Sequence, residues 1–299
     1  MGYRKGIILA GGKGTRLYPM TAGVNKQLLP VYDKPMIYYP LASLMSAVIR
    51  DVLIISSPDQ ILQFNSTLGN GNDWGMNIEY ATQDVPNGIA EAFLIAENVG
   101  FLKGDPCALA LGDNIFYGED FYKDLMYISK MNENCVFGYR VANPEEYGVV
   151  DFERPSDMYE RNVRVKGIEE KPANPKSNYA VPGLYFYDSS AVSKARSLKP
   201  SPRGELEITD LNNLYIKDKK LKVKLLRDSA AWFDTGAPEA MFEASMFVKS
   251  IQSRTGLMIG CVEEIAYKKE FISYNQFCNV ISSLPNCQYR TYLERKYDA

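Results

Sequence analysis

The chain has 299 residues, a formal net charge of -2 and no histidine. That length can bury the core of one large or two smaller domains, and the near-neutral balance offers no broad basic surface to nucleic acid or to an anionic membrane. The missing histidine excludes Ser-His-Asp and Cys-His catalysis and any His-ligated zinc. Chemistry is left to carboxylates, cations, hydroxyls or a metal on oxygen ligands.

No apolar run approaches the length of a membrane span, and the N-terminus lacks the charged-then-apolar plan of a signal peptide. Cys107, Cys135, Cys261, Cys278 and Cys287 are odd in number and form no C-x-x-C pair. The expectation is a cytoplasmic protein with reduced thiols, each serving as a small buried apolar residue.

In chain order, Gly6-Ile7-Ile8-Leu9-Ala10 reads as a buried central strand of a parallel sheet. It runs into Gly11-Gly12-Lys13-Gly14-Thr15-Arg16. Pro35 to Arg50 has apolar residues at helical spacing, with Pro40 limiting its first turn. Asp51 to Ser56 is a second strand, Pro58 to Leu68 helical, Gly69 to Gly75 a loop, and Met76 to Gln83 a third strand. Ile89 to Val99 reads as an amphipathic helix and Cys107 to Leu111 as a fourth strand, stopping at Gly112-Asp113-Asn114. This alternation implies parallel strands, with ligands beyond their C-termini, where the Gly11 loop, Gln83 and Asp113 would meet.

Beyond Cys135 come strand-like runs at Cys135 to Val141, Tyr147 to Glu153, Val163 to Glu170 and Tyr179 to Tyr187. Helices are expected over Ala191 to Leu198 and Glu207 to Asp218, a strand and loop over Asp228 to Gly236, a long helix over Pro238 to Arg254, and further helix to the end. The fold class is α/β, a Rossmann-like mixed and mostly parallel sheet flanked by helices, with a small helical C-terminal extension. Residues 1–240 would form the α/β domain, with a first part to about 130 and a second from 131 to 240. Residues 241–299 would form the extension.

The glycine loop admits two readings. Alone it is an ordinary tight turn. With a buried strand before it and Lys13, Arg16 and Lys26 around it, converging N–H groups and cations point to a phosphate. The spacing is neither G-x-x-x-x-G-K-[ST] nor G-x-G-x-x-G, since Leu17 stands at the third glycine's position. Asp113 and Asp234 each close an apolar run, beside Gly112 and Gly236. They are turn aspartates capping backbone, or ligands of a hard ion such as Mg²⁺, which takes one or two protein carboxylates and completes its shell with phosphate and water. If their strands are parallel neighbours, both project from one sheet edge.

LAGGKGTRLYPMT followed by NKQLLPVYDKPMIYYP resembles the sugar-phosphate nucleotidylyltransferases, in their short bacterial, thymidylyl-transferring form. The likeness runs through LGDN, YGVV, EEKP, NYAV, PRGELEITD and WFDTG in family order. It implies that Leu9, Gly11, Gly12, Gly14, Thr15 and Arg16 hold the nucleoside triphosphate, with Arg16 and Lys26 as its clamp. Gln27, Gln83, Pro86 and Gly88 would form the base pocket, the glutamines reading the pyrimidine edge. Tyr147, Gly148, Glu170, Lys171 and Val181 would surround the sugar phosphate, and Asp113 and Asp234 would be the Mg²⁺ ligands. The implied catalytic set is Arg16, Lys26, Asp113, Lys171 and Asp234, the substrates dTTP and glucose 1-phosphate, and the assembly a homotetramer inhibited by a downstream deoxysugar nucleotide. A uridylyl- or cytidylyltransferase, or a sensor without turnover, are the alternatives. Asn25, Asp84-Val85-Pro86-Asn87, Pro182 and Gly236-Ala237-Pro238 depart from the family pattern.

Overall fold

A computed structural model describes residues 4–12, 14–153 and 161–298. β1 (Lys5–Leu9) leads through the glycine loop and a short hairpin, β2 (Pro30–Val31) and β3 (Lys34–Pro35), into α1 (Tyr38–Ser46). Then follow β4 (Asp51–Ser56), α2 (Ile61–Leu68), β5 (Asn77–Thr82), α3 (Glu91–Asn98) and β6 (Cys107–Leu111). β1 pairs in parallel with β4 and with β6, and β4 with β5. Ile8, Val52, Ile54, Ala108 and Ala110 pack into one core, while Ile7, Leu53, Ile55, Cys107 and Leu109 pack into another. Strands buried on both faces show no polar alternation, which is why these runs are continuously apolar. Pro40 is the third residue of α1, where a missing N–H costs no intrahelical bond.

The second half changes direction. β7 (Asn114–Tyr117), α4 (Glu119–Met131), β8 (Cys135–Arg140), β9 (Gly148–Phe152), β10 (Asn162–Val163), β11 (Val165–Glu170), β12 (Tyr179–Ala180) and β13 (Leu184–Tyr187) are followed by α5 (Ala191–Ser197), α6 (Ile208–Lys217), β14 (Lys222–Leu225) and β15 (Ala231–Asp234). β13 pairs antiparallel with both β6 and β8 and so joins the halves into one sheet, ordered β11-β9-β12-β8-β13-β6-β1-β4-β5.

Three expectations need correcting. Tyr179 to Tyr187 is two strands, because Pro182 has no N–H and the Gly183 N–H turns aside to Asn114 Oδ1 at 2.9 Å. The strands carrying the two aspartates are not parallel: β15 runs antiparallel to β7 in a separate two-stranded sheet, with Asp234 opposite Asn114. Residues 114–131 hold β7 and α4, which the periodicity reading passes over, as it does β14.

α7 (Pro238–Thr255) packs Met241, Ala244 and Val248 against Leu17, Val31 and Met36, next to the glycine loop. α8 (Val262–Lys268), α9 (Tyr274–Ser283) and α10 (Gln288–Tyr297) add Val262, Phe277, Ile281 and Leu293 to the core that already holds Ile8 and Ile54. Cys107, Cys135 and Cys261 are buried as expected, but Cys278, on α9, is half-buried and Cys287, just before α10, is exposed. Among the described residues no helix is long and apolar enough to cross a membrane.

Candidate active site

The side expected to take a nucleotide is built where the parallel strands end. Gly12 and Gly14 have φ of +104° and +58°, a backbone that side chains rarely adopt, so the chain after β1 can turn sharply into the short helix Thr15–Leu17. A Cβ on Gly12 would meet open space, whereas one on Gly14 would come 2.9 Å from Thr21 Cγ2. The loop therefore presents bare backbone outward at Gly12, with Thr15 and Arg16 exposed beside it. Lys13 lies outside the described residues. The Gly112 N–H donates to the Leu9 carbonyl at 3.0 Å, and Gln83 Oε1 lies 3.1 Å from where Gly11 would carry a Cβ. The Gly11 loop, Gln83 and the Asp113 turn thus meet as their strand positions require.

Gln27 is buried, in the turn Lys26–Leu28. Asn25 caps that turn by accepting from the Gln27 N–H at 2.7 Å and donates to the Ala10 carbonyl at 3.3 Å. Gln27 Oε1 is buried with no hydrogen-bond partner among the described residues. Such an atom is costly unless a ligand completes it. Gly88, with φ of +104°, must be glycine for a packing reason: a Cβ would come 2.5 Å from the backbone of Leu206. The Leu206 N–H donates to the Asn87 carbonyl and the Ala90 N–H to the Leu206 carbonyl, tying this loop to the segment before α6. Pro86 is exposed in the same loop.

Asp113 and Asp234 lie side by side at the start of β7 and the end of β15, with the Thr235 N–H donating to the Asp113 carbonyl at 3.0 Å. Burial works against charge on Asp113, but the ion pair with Lys26 and a hydrogen bond from Asn114 outweigh it and hold its carboxyl below the usual range. Asp234 is pushed up to about 6, first by burial and then by the charge of Asp113, against the opposing pull of Lys26 and Arg16. Two carboxylates that repel in a partly dry cleft fit a hard divalent cation between them. Among the described residues no cluster of three or more His, Cys, Asp or Glu side chains that could hold a metal ion occurs.

On the other side of the carboxylates opens a cavity of about 710 Å³. Tyr147, Gly148, Glu170, Lys171 and Val181, the five residues expected around a sugar phosphate, line it, together with Arg16 and Asp234. Lys171 follows β11 with φ of +45°, and its N–H donates to the Tyr147 carbonyl at 2.9 Å. Its side chain is exposed and, like that of Arg16, makes no ion pair among the described residues. Glu170 accepts from Thr209 Oγ1 at 2.6 Å, and the Val181 N–H donates to the Gly148 carbonyl at 2.8 Å, so strands β9, β11 and β12 and helix α6 fix the cavity floor. Sequence reasoning gave no role to Trp232, which packs edge-on to Tyr147 at 5.3 Å and donates to Asn114 Oδ1 at 2.7 Å. It gave no role either to Arg203 and Glu207, an ion pair that lines the cavity. The signal for Trp232 was its place two residues before Asp234, on the same strand face.

A sheet that ends in a glycine-rich loop, facing a carboxylate pair and a polar cavity, is the arrangement expected of a nucleotidyl transferase. Residues 5–251 match the nucleotidyl transferase family model, and the chain belongs to that family. Within it, the chain is 50% identical over 292 residues to the glucose-1-phosphate thymidylyltransferase of Neisseria meningitidis, covering 97% of this chain and 98% of that one. It is 48% identical over 295 residues to the enzyme of the same name from Mycolicibacterium smegmatis, covering 98% and 99%. A Bacillus anthracis structure solved with sucrose, and provisionally classed under that name, superposes with a TM-score of 0.72 at 38% identity, covering 82% of this chain and 94% of that one. UDP-glucose pyrophosphorylase with UDP-glucose shares the fold, with a TM-score of 0.72 at 24% identity, over 84% of this chain and 100% of that one.

Proposed function

We infer that the protein transfers a thymidylyl group from dTTP to glucose 1-phosphate, giving dTDP-glucose and pyrophosphate. The observation that carries this is one cavity, lined by Lys171, Arg16 and Asp234, beside the carboxylate pair where β7 begins and β15 ends. In this reading the Gly11–Arg16 loop and Lys26 hold the triphosphate, and Gln27 and Gln83 meet the base within the loop that carries Pro86 and Gly88. Lys171 holds the sugar phosphate, while Tyr147, Gly148, Glu170 and Val181 shape the space for the sugar.

A phosphate monoester has its second pKa near 6, so the attacking oxygen of glucose 1-phosphate is largely ionised at neutral pH and needs no general base. The chain's work is alignment. Lys171 sets the nucleophile, the glycine loop sets the α-phosphorus, and Arg16 offsets charge as pyrophosphate departs in line. Asp113 and Asp234 would hold Mg²⁺, which when bound screens the like charges of the two phosphates and stabilises the transition state. A cytoplasmic, homotetrameric enzyme, with residues 1–240 as the catalytic body and 241–299 as an extension, completes the proposal.

Pyrophosphate release with glucose 1-phosphate and each of dTTP, UTP, CTP, ATP and GTP tests it. Turnover should be highest with dTTP and measurable with UTP, because one methyl group is worth only about 1–3 kcal/mol in a pocket. It should be negligible with either purine. Comparable efficiency with ATP would remove the base-reading role of the glutamines, and no release with any nucleotide would leave a sensor.

A further inference from the structure

Glu91, the first residue of α3, lies outside the residues assigned to the base pocket yet touches one of them. Its carboxylate accepts from Gln83 Nε2 at 2.5 Å and from Asn87 Nδ2 at 2.9 Å. A carboxylate offers only acceptors, so both amides must turn their NH₂ groups towards it. Gln83 is then left with Oε1 on the side of Gly11, where it lies 3.1 Å from the place a Cβ would take. At 6% exposure, Gln83 presents that oxygen to the strand-end site and not to bulk solvent. Flipping the amide would set its oxygen against the Glu91 carboxylate and lose a charge-assisted hydrogen bond.

We infer that Glu91 is a positioning residue for base selection: by holding Gln83 Nε2 it fixes Gln83 Oε1 as an acceptor, so the pocket admits a pyrimidine with an N–H on its edge, thymine or uracil, and rejects cytosine. The inference rests on the reading of Gln83 as a base contact. The ring nitrogen N3 carries a hydrogen in thymine and uracil but is an acceptor in cytosine. An acceptor facing an acceptor leaves both desolvated and unpaired, and a site built around one hydrogen bond discriminates for that reason. Glu91 also steadies the loop through Asn87, whose carbonyl accepts from the Leu206 N–H at 2.7 Å. Loosening that loop would weaken every nucleotide alike, whereas freeing the Gln83 amide changes the ratio between bases.

The test compares Glu91→Leu, which removes both acceptors, with Glu91→Gln, which keeps one acceptor oxygen. Two readouts are taken: kcat/KM for dTTP and dCTP, and calorimetric binding of dTDP and dCDP. In Glu91→Leu the dTTP-to-dCTP and dTDP-to-dCDP preferences should each fall about tenfold, the effect of one mispaired hydrogen bond. The KM for glucose 1-phosphate should hold to within about twofold, since that side of the site is untouched. Glu91→Gln should stay close to the parent. An unchanged preference in Glu91→Leu, a parallel loss for both nucleotides, or a Gln variant as relaxed as Leu would overturn the inference. Should Glu91→Leu fail to fold, Glu91→Ala makes the same comparison. Calorimetry needs no turnover, so a parent that binds dTDP over dCDP but releases no pyrophosphate refutes the proposed reaction while the binding ratios still decide the role of Glu91.

Discussion

Asp113 and Asp234 in the cleft and Glu263 and Glu264 at the start of α8 are both neighbouring pairs of poorly solvated carboxyls, one raised and one lowered in each. They differ in how their valences are filled. Glu263 is 4% exposed and is closed off by protein donors, Trp74 Nε1 at 3.3 Å and the Tyr289 hydroxyl. Burial also opposes charge on Glu264, but Lys268, Lys296 at 2.7 Å and Tyr292 at 2.6 Å outweigh it. In the cleft, protein groups hold one carboxyl, Asp113, through Lys26 and Asn114, whereas Asp234 has, among the described residues, only a backbone hydrogen bond at Gly236 and faces a cavity. A carboxylate whose partners are all protein atoms ties elements together, whereas one left facing a cavity awaits a ligand.

The largest effect should come from the cleft pair. Asp113→Asn and Asp234→Asn keep shape and one acceptor while removing charge, and each should lose on the order of 10²-fold or more in kcat, read by pyrophosphate release. A chelator should abolish turnover in the parent, and excess Mg²⁺ should partly rescue the variants. The two should separate in stability: Asp113→Asn leaves the largely buried Lys26 without its partner, whereas Asp234→Asn breaks no ion pair. Near-normal turnover in either variant at limiting Mg²⁺ would move that aspartate to the closed class.

Next comes the division of the cleft. Lys171→Ala should raise the KM for glucose 1-phosphate by roughly 10–100-fold and leave that for dTTP nearly unchanged, as expected for losing a charge-assisted contact to one substrate. Lys26→Ala should act on kcat or on the dTTP side. Interchangeable kinetic profiles would dissolve the two halves into one undivided site.

The closed pair should respond in the opposite currency. Glu263→Ala strands Trp74 Nε1 and the Tyr289 hydroxyl inside the core and should cost about 2–3 kcal/mol of stability in urea titration, at parental kcat on the folded protein. Loss of kcat without loss of stability would show that the C-terminal helices act on the cleft.

How much of this was legible beforehand follows from where the physics is local. The parallel strands were readable because double burial demands unbroken apolar runs, and Asp51–Ser56 and Cys107–Leu111 have the limits expected. The residues of the cavity were named through ordered motifs, and the fold brings them together. The antiparallel β7–β15 pairing was not readable, since nothing in Trp232-Phe233-Asp234 states a direction. α4 did carry a signal, with Phe121, Leu125 and Ile128 buried at helical spacing behind Glu119 and Asp120. The role of Asn114 depends on contacts with Gly183 and Trp232, far away in sequence, and that of Glu91 on which way the Gln83 amide turns, which a pattern of residue types does not state.

The smallest effect is a pH dependence of stability, read at Glu263. Burial raises its carboxyl above the ordinary 4.5, against the hydrogen bonds from Tyr289, Trp74 and Cys261 that pull it down. Between 4.5 and the raised value, the native state binds more protons than the unfolded chain. The stability associated with this group is therefore fully present below 4.5 and falls as pH rises through the folded value. Glu263→Gln keeps an acceptor for Trp74 and Tyr289 but cannot ionise. Its Tm relative to the parent should be flat below pH 4.5 and climb as pH rises through the raised folded value. The groups facing Glu263 do not confuse the reading. Cys261 and Tyr289 are raised, Tyr38 is raised to about 12, and Glu264 is held below its usual range, so none of them titrates between pH 5 and 8. A Tm difference that is constant with pH, or that shrinks as pH rises, would mean that Glu263 is charged in the native protein and that the pair at α8 is closed by charge pairing instead of by neutral hydrogen bonds.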